Sequence, residues 1–540
     1  MKKIIFNCLL AVSISASAQN LQRPKLVVGI MVDQMRWDYL YRYYDRYGND
    51  GFKRMLNGGF SCENAFINYV PSYTGVGHAT VYTGSEPSIH GIAGNEWVEQ
   101  LTGKRLYCTA DSTVKGVGNV NAADGKMSPR NLLTSTITDE LRLATNFRSK
   151  VVGISLKDRG SILPAGHLGT AAYWLDDVSA GFISSTYYMQ QLPDWVNRFN
   201  SKKRIEQLIV NGWNTLYPIN TYKQSDADAK SYEGRLSGES LPVFPHDTKT
   251  AYATNKGSFR NTPFGNTIVA EFSKEAIDGH QLGRSGSTDF LAISFSSPDY
   301  IGHMVGINAI EIEDTYLRLD KDIADLFKTL DAKVGKGQWL AFLTADHGAA
   351  HAIGFMKEHR LPGDLWYSAP LVDSMNKILN AKFKTEKLIR TILNYQVHFD
   401  LTKIDAGNLD FTGIKRTVVE FLQRQPGVAF AADMDAIGRV PIPEQIKKMM
   451  INGYNFKRSG QVQIILSPGW YEGFSKTGTT HGTWNPYDIH IPLIWYGWNI
   501  KPGKTSREVY MRDIAPTLAT LLRIQMPNGC IGQTITEIAK

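Results

Sequence analysis

Four runs of apolar residues in this chain stop abruptly at side chains able to do chemistry. "KLVVGIMVDQMRWD" runs from Lys25 through Val32 and meets Asp33. "KVVGISLKDR" ends in Lys157 and Arg159, "DFLAISFSSPDYIGH" near Asp299 and His303, and "QWLAFLTADHGAAH" in Asp346 and His347. Apolar, largely β-branched residues at consecutive positions predict strands buried on both faces, as in a parallel sheet covered by helices. In open α/β sheets the active crevice lies beyond the carboxyl ends of the strands. All four runs deliver their polar residues there.

Between the runs the apolar period lengthens. "EIEDTYLRLDKDIADLFKTLDAKVG" sets Tyr316, Leu319, Ile323, Leu326 and Leu330 at steps of three and four, which predicts an amphipathic helix leading into the Asp346 strand. "MRDIAPTLATLLRIQMPNG" predicts a helix stopped by Pro527 and Gly529. Two stretches, about 160–285 and 355–475, are too long for crossovers and read as insertions into one α/β domain spanning 19–540. The second has a hairpin pattern around "INGYNFKRSGQVQIIL".

One polar position stands apart. In "YVPSYTGVGHATVYTG", Thr74 follows a proline-marked extended approach and precedes a helix expected to begin near Val76. It could simply cap that helix. It could also be a nucleophile facing an anion held at the helix N-terminus.

Composition narrows the setting. The start "MKKIIFNCLLAVSISASAQN" has the charged, apolar and A-x-A segments of a secretory signal peptide over residues 1–18, with an apolar run far below the ~20 residues of a membrane span. A secreted, periplasmic or extracellular protein is expected. Without Cys8, the cysteines Cys62, Cys108 and Cys530 have no metal-like spacing and form no disulfide framework. The formal charge of +8, or +6 without Lys2 and Lys3, suits an anionic substrate without selecting one. No basic run interleaved with aromatics points to nucleic acid, and no heptads indicate an oligomeric state.

The strand-end residues Asp33, Asp299, His303, Asp346 and His347, joined by His481 of "TGTTHGTWNPYD", make an oxygen and nitrogen ligand set suited to zinc, manganese or iron. Asp299 and His303, four apart, share a face if a helical turn follows Pro298. An Asp after a strand is often only a turn or cap residue, so the case rests on six ligand types at one edge. His78, His90, His351, His359 and His490 have no such spacing and read as packing or supporting groups, with His351 the first to reconsider.

These motifs, with "GNEW" around Asn95 and "DIAPTLATLL" near the end, follow one another as in the alkaline phosphatase superfamily, which the chain resembles over nearly its whole length after the leader. "GNEW" together with "SLKDR" is similar to the phosphate-insensitive bacterial branch. The resemblance implies an α/β core with a mostly parallel sheet flanked by helices, and two zinc ions (Zn2+) per chain. It puts Asp299, His303 and His481 on one zinc and Asp33, Asp346, His347 and the Thr74 oxygen on the other. Thr74 would be the nucleophile, in place of the serine of better-known members, and Asn95, Lys157 and Arg159 would bind phosphoryl oxygens. Ser72-Tyr73 departs from the family's local pattern but removes no functional position.

The implied activity is hydrolysis of small phosphate monoesters through a phosphothreonine. A phosphodiesterase or nucleotide pyrophosphatase on the same scaffold is the alternative. Lys157 and Arg159 favour the monoester, because a paired cation clamp suits a dianion with three free oxygens better than a diester with one charge. A sulfatase is disfavoured, since no C-x-P-x-R segment occurs.

Overall fold

The computed structural model describes residues 22–118, 123–473 and 476–539. Strands β1 (Leu26–Val32), β2 (Val151–Ser155), β3 (Asp289–Phe295) and β4 (Trp339–Thr344) are the four apolar runs, and every residue in them is buried. They lie side by side in the order β4-β1-β3-β2, all parallel. Unbroken hydrophobicity is what a strand needs when helices cover both of its faces. Register completes the alignment: Met31 sits opposite both Thr344 and Ser294, and Ser294 opposite Ser155. All four strands therefore end at one level, and the residues after them meet at one edge.

The full sheet has eleven strands and is mixed. Ala171–Asp176 adds in parallel beyond β2, with Gly181–Ser185 antiparallel to it. On the far side Leu493–Gly497 runs antiparallel to β4 and pairs with Phe60–Phe66. Four helices place the site: α1 (Thr74–Thr83), α2 (Asp158–Ala165), α3 (Ser297–Val305) and α4 (Ile310–Leu330). In α4 the expected stripe Tyr316, Leu319, Ile323, Leu326 and Leu330 is fully buried.

Several sequence expectations change. The stretch 160–285 does not wholly leave the core. Its segments Ala171–Asp176 and Gly181–Ser185 extend the central sheet, and helix Phe264–Gly279 packs beside β3. Their polar and glycine-rich surroundings had masked short core strands. The stretch 355–475 does carry its own four-stranded sheet and its own hydrophobic cluster, centred on residues such as Val397, Ile414, Leu422 and Ile464.

The hairpin around 451–466 is absent. Glu444–Gly453 is helical, burying Ile446, Met449 and Met450 on one face, and Val462–Leu466 pairs instead with Val428–Asp433 and Gln396–Phe399. The strand was legible from its pattern; its distant partners were not. The last helix covers Ile514–Leu522 and ends at Arg523 in the left-handed region (φ 51°), before Pro527 and Gly529. The expected signal peptide lies outside the described residues. Among those described, no helix is long and apolar enough to cross a membrane.

Candidate active site

Asp33 follows β1, Lys157 and Arg159 sit where β2 turns into α2, and Asp346 and His347 follow β4. Asp299 and His303 occupy successive turns of α3, with His303 Nε2 3.1 Å from Asp299 Oδ1. His481 arrives from a loop and stacks on His347, ring centroids 3.4 Å apart. All six carboxylate and imidazole residues expected to bind metal are thus brought together.

The three histidines are oriented alike. Nδ1 of His303 lies 2.8 Å from the Thr479 carbonyl, that of His481 2.8 Å from the Ser72 carbonyl, and that of His347 3.0 Å from the Gly348 carbonyl. A carbonyl can only accept, so each Nδ1 carries the proton and each Nε2 presents its lone pair to the cluster. This is how metal-binding imidazoles are commonly held. Burial pushes the His347 and His481 pKa values down, with the two rings opposing each other's protonation at His481. His303 is shifted up: burial opposes its charge, but Asp299 outweighs that.

The carboxylates are half satisfied. Asp346 Oδ1 accepts the N–H groups of Gln34 and His347, both at 3.1 Å, while its buried Oδ2 has no hydrogen-bond partner. Asp33 Oδ2 accepts Lys157 Nζ at 2.6 Å, and its buried Oδ1 has no partner. Burial and the Asp33 charge raise the Asp346 pKa well above its usual range. Burial works the same way at Asp299, but His303 and Lys157 overcome it and hold that group well below its usual range. Buried, unpaired carboxylate oxygens are costly unless something positive meets them.

Ligand atoms converge in two groups: Asp33, Asp346 and His347, and Asp299, His347 and His481. His347 is common to both, whereas sequence reasoning had given the second group His303, which here approaches through Asp299. Two orphaned carboxylate oxygens, three aimed imidazole nitrogens and an oxygen and nitrogen donor set fit divalent cations of the zinc type.

Thr74 lies against this cluster. It is the first residue of α1, with Tyr73 in the N-cap position and no side-chain cap, so the capping explanation fails. Its Oγ1 is 3.5 Å from His347 Nε2. The small residues after it also find a reason. A Cβ on Gly77 would stand 2.6 Å from the Asp346 backbone oxygen and Cβ, so glycine lets α1 pack directly on the ligand loop. Gly75 N donates to Asn95 Oδ1 at 2.8 Å, tying the Asn95 amide to the helix start with its Nδ2 at the opposite end.

Lys157 Nζ bridges Asp33 Oδ2 (2.6 Å) and Asp299 Oδ2 (2.5 Å). Burial disfavours its charge, yet those carboxylates shift its pKa up and keep it an ammonium. Arg159 Nη1 donates to Tyr107 Oη at 2.9 Å, and its buried Nε has no partner, leaving a free donor. Tyr107 in turn donates to Asp158 Oδ1 at 2.8 Å, which also accepts Thr109 Oγ1 at 3.0 Å.

Of the other histidines singled out, His78 borders the cluster, its Nδ1 3.5 Å from Asp346 Oδ2, and the rest stay outside it. His78 bonds the Thr74 carbonyl and Ser294 Oγ, and His90 bonds Thr80 Oγ1 and the Ile92 N–H. His351 bonds Asn308, His490 bonds the Glu63 carbonyl, and His359 packs on Phe355. Sequence reasoning missed Gln34, Tyr107 and Asp158. Gln34 and Asp158 adjoin chosen residues, which was the only signal for them; Tyr107 had none.

Known proteins give the same architecture. Residues 27–488 match the family model for type I phosphodiesterase / nucleotide pyrophosphatase. The chain is 52% identical to alkaline phosphatase PafA of Elizabethkingia meningoseptica, covering 96% of this chain and 94% of that one. It is 52% identical to alkaline phosphatase PhoV of Synechococcus elongatus (97% and 95% covered) and 50% identical to a protein of Myroides odoratus named calcium-transporting ATPase (98% and 97% covered). The crystal structure of wild-type PafA superposes with a TM-score of 0.94 over 96% of this chain and 100% of that one. A PafA variant, also with a TM-score of 0.94, is substituted at a threonine, an asparagine, a lysine and an arginine spaced along its chain as Thr74, Asn95, Lys157 and Arg159 are here.

Proposed function

Because the chain belongs to the type I phosphodiesterase / nucleotide pyrophosphatase family of the alkaline phosphatase superfamily, with alkaline phosphatases PafA and PhoV among its relatives, we propose that it is an alkaline phosphatase that hydrolyses small phosphate monoesters through a phosphothreonine at Thr74. The observation that carries this reading is the placement of the Thr74 hydroxyl. Its Oγ1 lies 3.5 Å from Nε2 of His347, the residue common to both metal-type donor groups, while the Lys157 ammonium sits between Asp33 and Asp299 of those same groups.

Charge decides the ligand. Asp33 and Asp299 take up the Lys157 ammonium, so the cluster alone offers a phosphate dianion little positive charge. Two divalent cations held there would supply it. Asp33, Asp346 and His347, with Thr74, would hold one zinc; Asp299, His303 and His481 would hold the other, with His347 close to both. Zinc supplies Lewis acidity, lowering the pKa of a nearby hydroxyl or water and offsetting charge on the leaving oxygen.

The chain's own groups do the positioning. α1 starts at Thr74, so its N-terminal N–H groups favour an anion beside the hydroxyl. The Asn95 Nδ2, the Arg159 Nε and the Lys157 ammonium are three donors for the three non-bridging oxygens. As the Thr74 oxygen bonds to phosphorus, the ester P–O bond breaks and the alcohol or phenol leaves with a proton. Water then cleaves the phosphothreonine, releasing phosphate and restoring the hydroxyl.

A diesterase is the second reading, favoured by the family model alone. The name calcium-transporting ATPase gains no support from the described residues, which contain no helix able to span a membrane. Secretion is expected from the signal-like leader. The test compares kcat/KM for an aryl phosphate and its methyl diester. A monoester preference supports the proposal, and a diester preference rejects it.

A further inference from the structure

Gln34 is uncharged, buried and unassigned by the reaction just described, yet it touches both halves of the site. Its backbone N–H donates to Asp346 Oδ1 at 3.1 Å and its side-chain Nε2 donates to Asp299 Oδ1 at 2.7 Å. Those carboxylates belong to different donor groups. Gln34 also directly follows Asp33, so one residue fixes the relation of all three carboxylates.

Two further observations show that the fold is shaped around this contact. Gln34 has φ 62°, a left-handed conformation costly for any residue with a Cβ. Backbone strain of this kind persists only where surrounding structure enforces it. Gly302, between the ligand-type residues Asp299 and His303 on α3, comes so near that a Cβ there would stand 1.9 Å from Gln34 Oε1. The helix carrying one donor group thus gives up a side chain to admit the amide.

We infer that Gln34 is a positioning residue, a brace that holds Asp299 at a fixed distance from Asp33 and Asp346 and thereby sets zinc affinity at the Asp299 group. Its amide spends one lone pair of Asp299 Oδ1 and steers the rest of that carboxylate, as outer hydrogen bonds to metal ligands do. The left-handed φ falls in a turn closed by the Met35 N–H on the Val32 carbonyl at 3.2 Å, and that turn aims both Gln34 donors into the site. The inference rests on the two-metal reading.

The test uses the full chain, stripped with a chelator and titrated with zinc against a chromophoric competitor, with Tm measured metal-free and loaded. Gln34→Met keeps the strained backbone and the bulk but loses the donor. Gln34→Gly relieves the strain and loses the side chain. In both, one zinc equivalent is expected to weaken by about 10–100-fold while the other holds. Metal-free Tm should stay near wild type for Gln34→Met and rise to or above it for Gln34→Gly. Unchanged affinity for both equivalents overturns the inference. So does a metal-free Tm that drops as far as the loaded one in both variants, which would mark Gln34 as structural. Failure of the two-metal reading shows separately, as wild-type protein binding fewer than two zinc equivalents.

Discussion

Tyr107→Phe removes a single oxygen and isolates what holds the Arg159 guanidinium. In the structure that hydroxyl accepts Arg159 Nη1 at 2.9 Å and donates to Asp158 Oδ1 at 2.8 Å. Without it one face of the guanidinium loses its tether while Asp158 still attracts it by charge. A hydrogen bond to a charged group contributes about 1.5–3 kcal/mol, and retained Coulomb attraction reduces the loss to roughly 1–2 kcal/mol. At about 1.4 kcal/mol per decade this is on the order of a 5–30-fold fall in kcat/KM for an aryl phosphate. The methyl diester, with less charge for Arg159 to meet, should fall much less. Steady-state kinetics on both esters would be measured in wild type, Tyr107→Phe, Arg159→Ala and the double variant. In the Arg159→Ala background Tyr107→Phe should cost little more, since the two act as one unit. Equal losses on both esters, or additive losses in the double variant, would refute the reasoning.

Three more outcomes follow from named contacts. Gly77→Ala puts a methyl 2.6 Å from the Asp346 backbone and must shift α1 or the ligand loop; a displacement near 1 Å of the Thr74 oxygen is expected to cost about 100-fold in kcat, and wild-type kinetics would show that this packing is not needed. Replacing Lys157 and Arg159 together by alanine should lower monoester hydrolysis far more than diester hydrolysis, and parallel losses would mean the pair only supports the fold. His246 is buried between Glu239 and Glu311, both at 3.1 Å. Burial alone would lower its pKa, but the two carboxylates raise it to about 9 from the ordinary 6.5. A raised value stabilises the fold fully below pH 6.5 and the effect fades as pH climbs through 9, worth at most about 3 kcal/mol. The Tm gap between wild type and His246→Gln should therefore be wide at pH 6 and narrow at pH 10, and a gap independent of pH would contradict the assignment.

How much of this was legible in the sequence depends on what each residue type announces. β1 to β4 announce themselves because strands covered on both sides admit few polar residues, so Asp33, Lys157, Asp299 and Asp346 stand out as the first charged residues after them. Their meeting at one edge then follows from parallel order and level register. Asn95 carries no such mark. It lies just before a two-stranded ladder, Glu96–Val98 with Arg105–Tyr107, that stands apart from the central sheet, and resemblance alone picked it out. Gln34 and Tyr107 act through pairs of hydrogen bonds across hundreds or tens of residues, which no local period encodes. The expected hairpin at 451–466 failed for a related reason: alternation identifies a strand, while the choice of partner depends on long-range packing. Polar neighbours likewise hid Ala171–Asp176 as a sheet strand within 160–285. The sharing of His347 by two donor groups is finer still, because it depends on how loops distant in sequence bring His481 onto the His347 ring.

Anomalous diffraction at the zinc edge, on crystals of the wild-type chain grown with zinc, tests the central claim most directly. The account expects two peaks, one among Asp33, Asp346, His347 and the Thr74 oxygen, the other beside Asp299, His303 and His481. A single peak, or any arrangement that leaves the Thr74 oxygen out of reach of both, would contradict it.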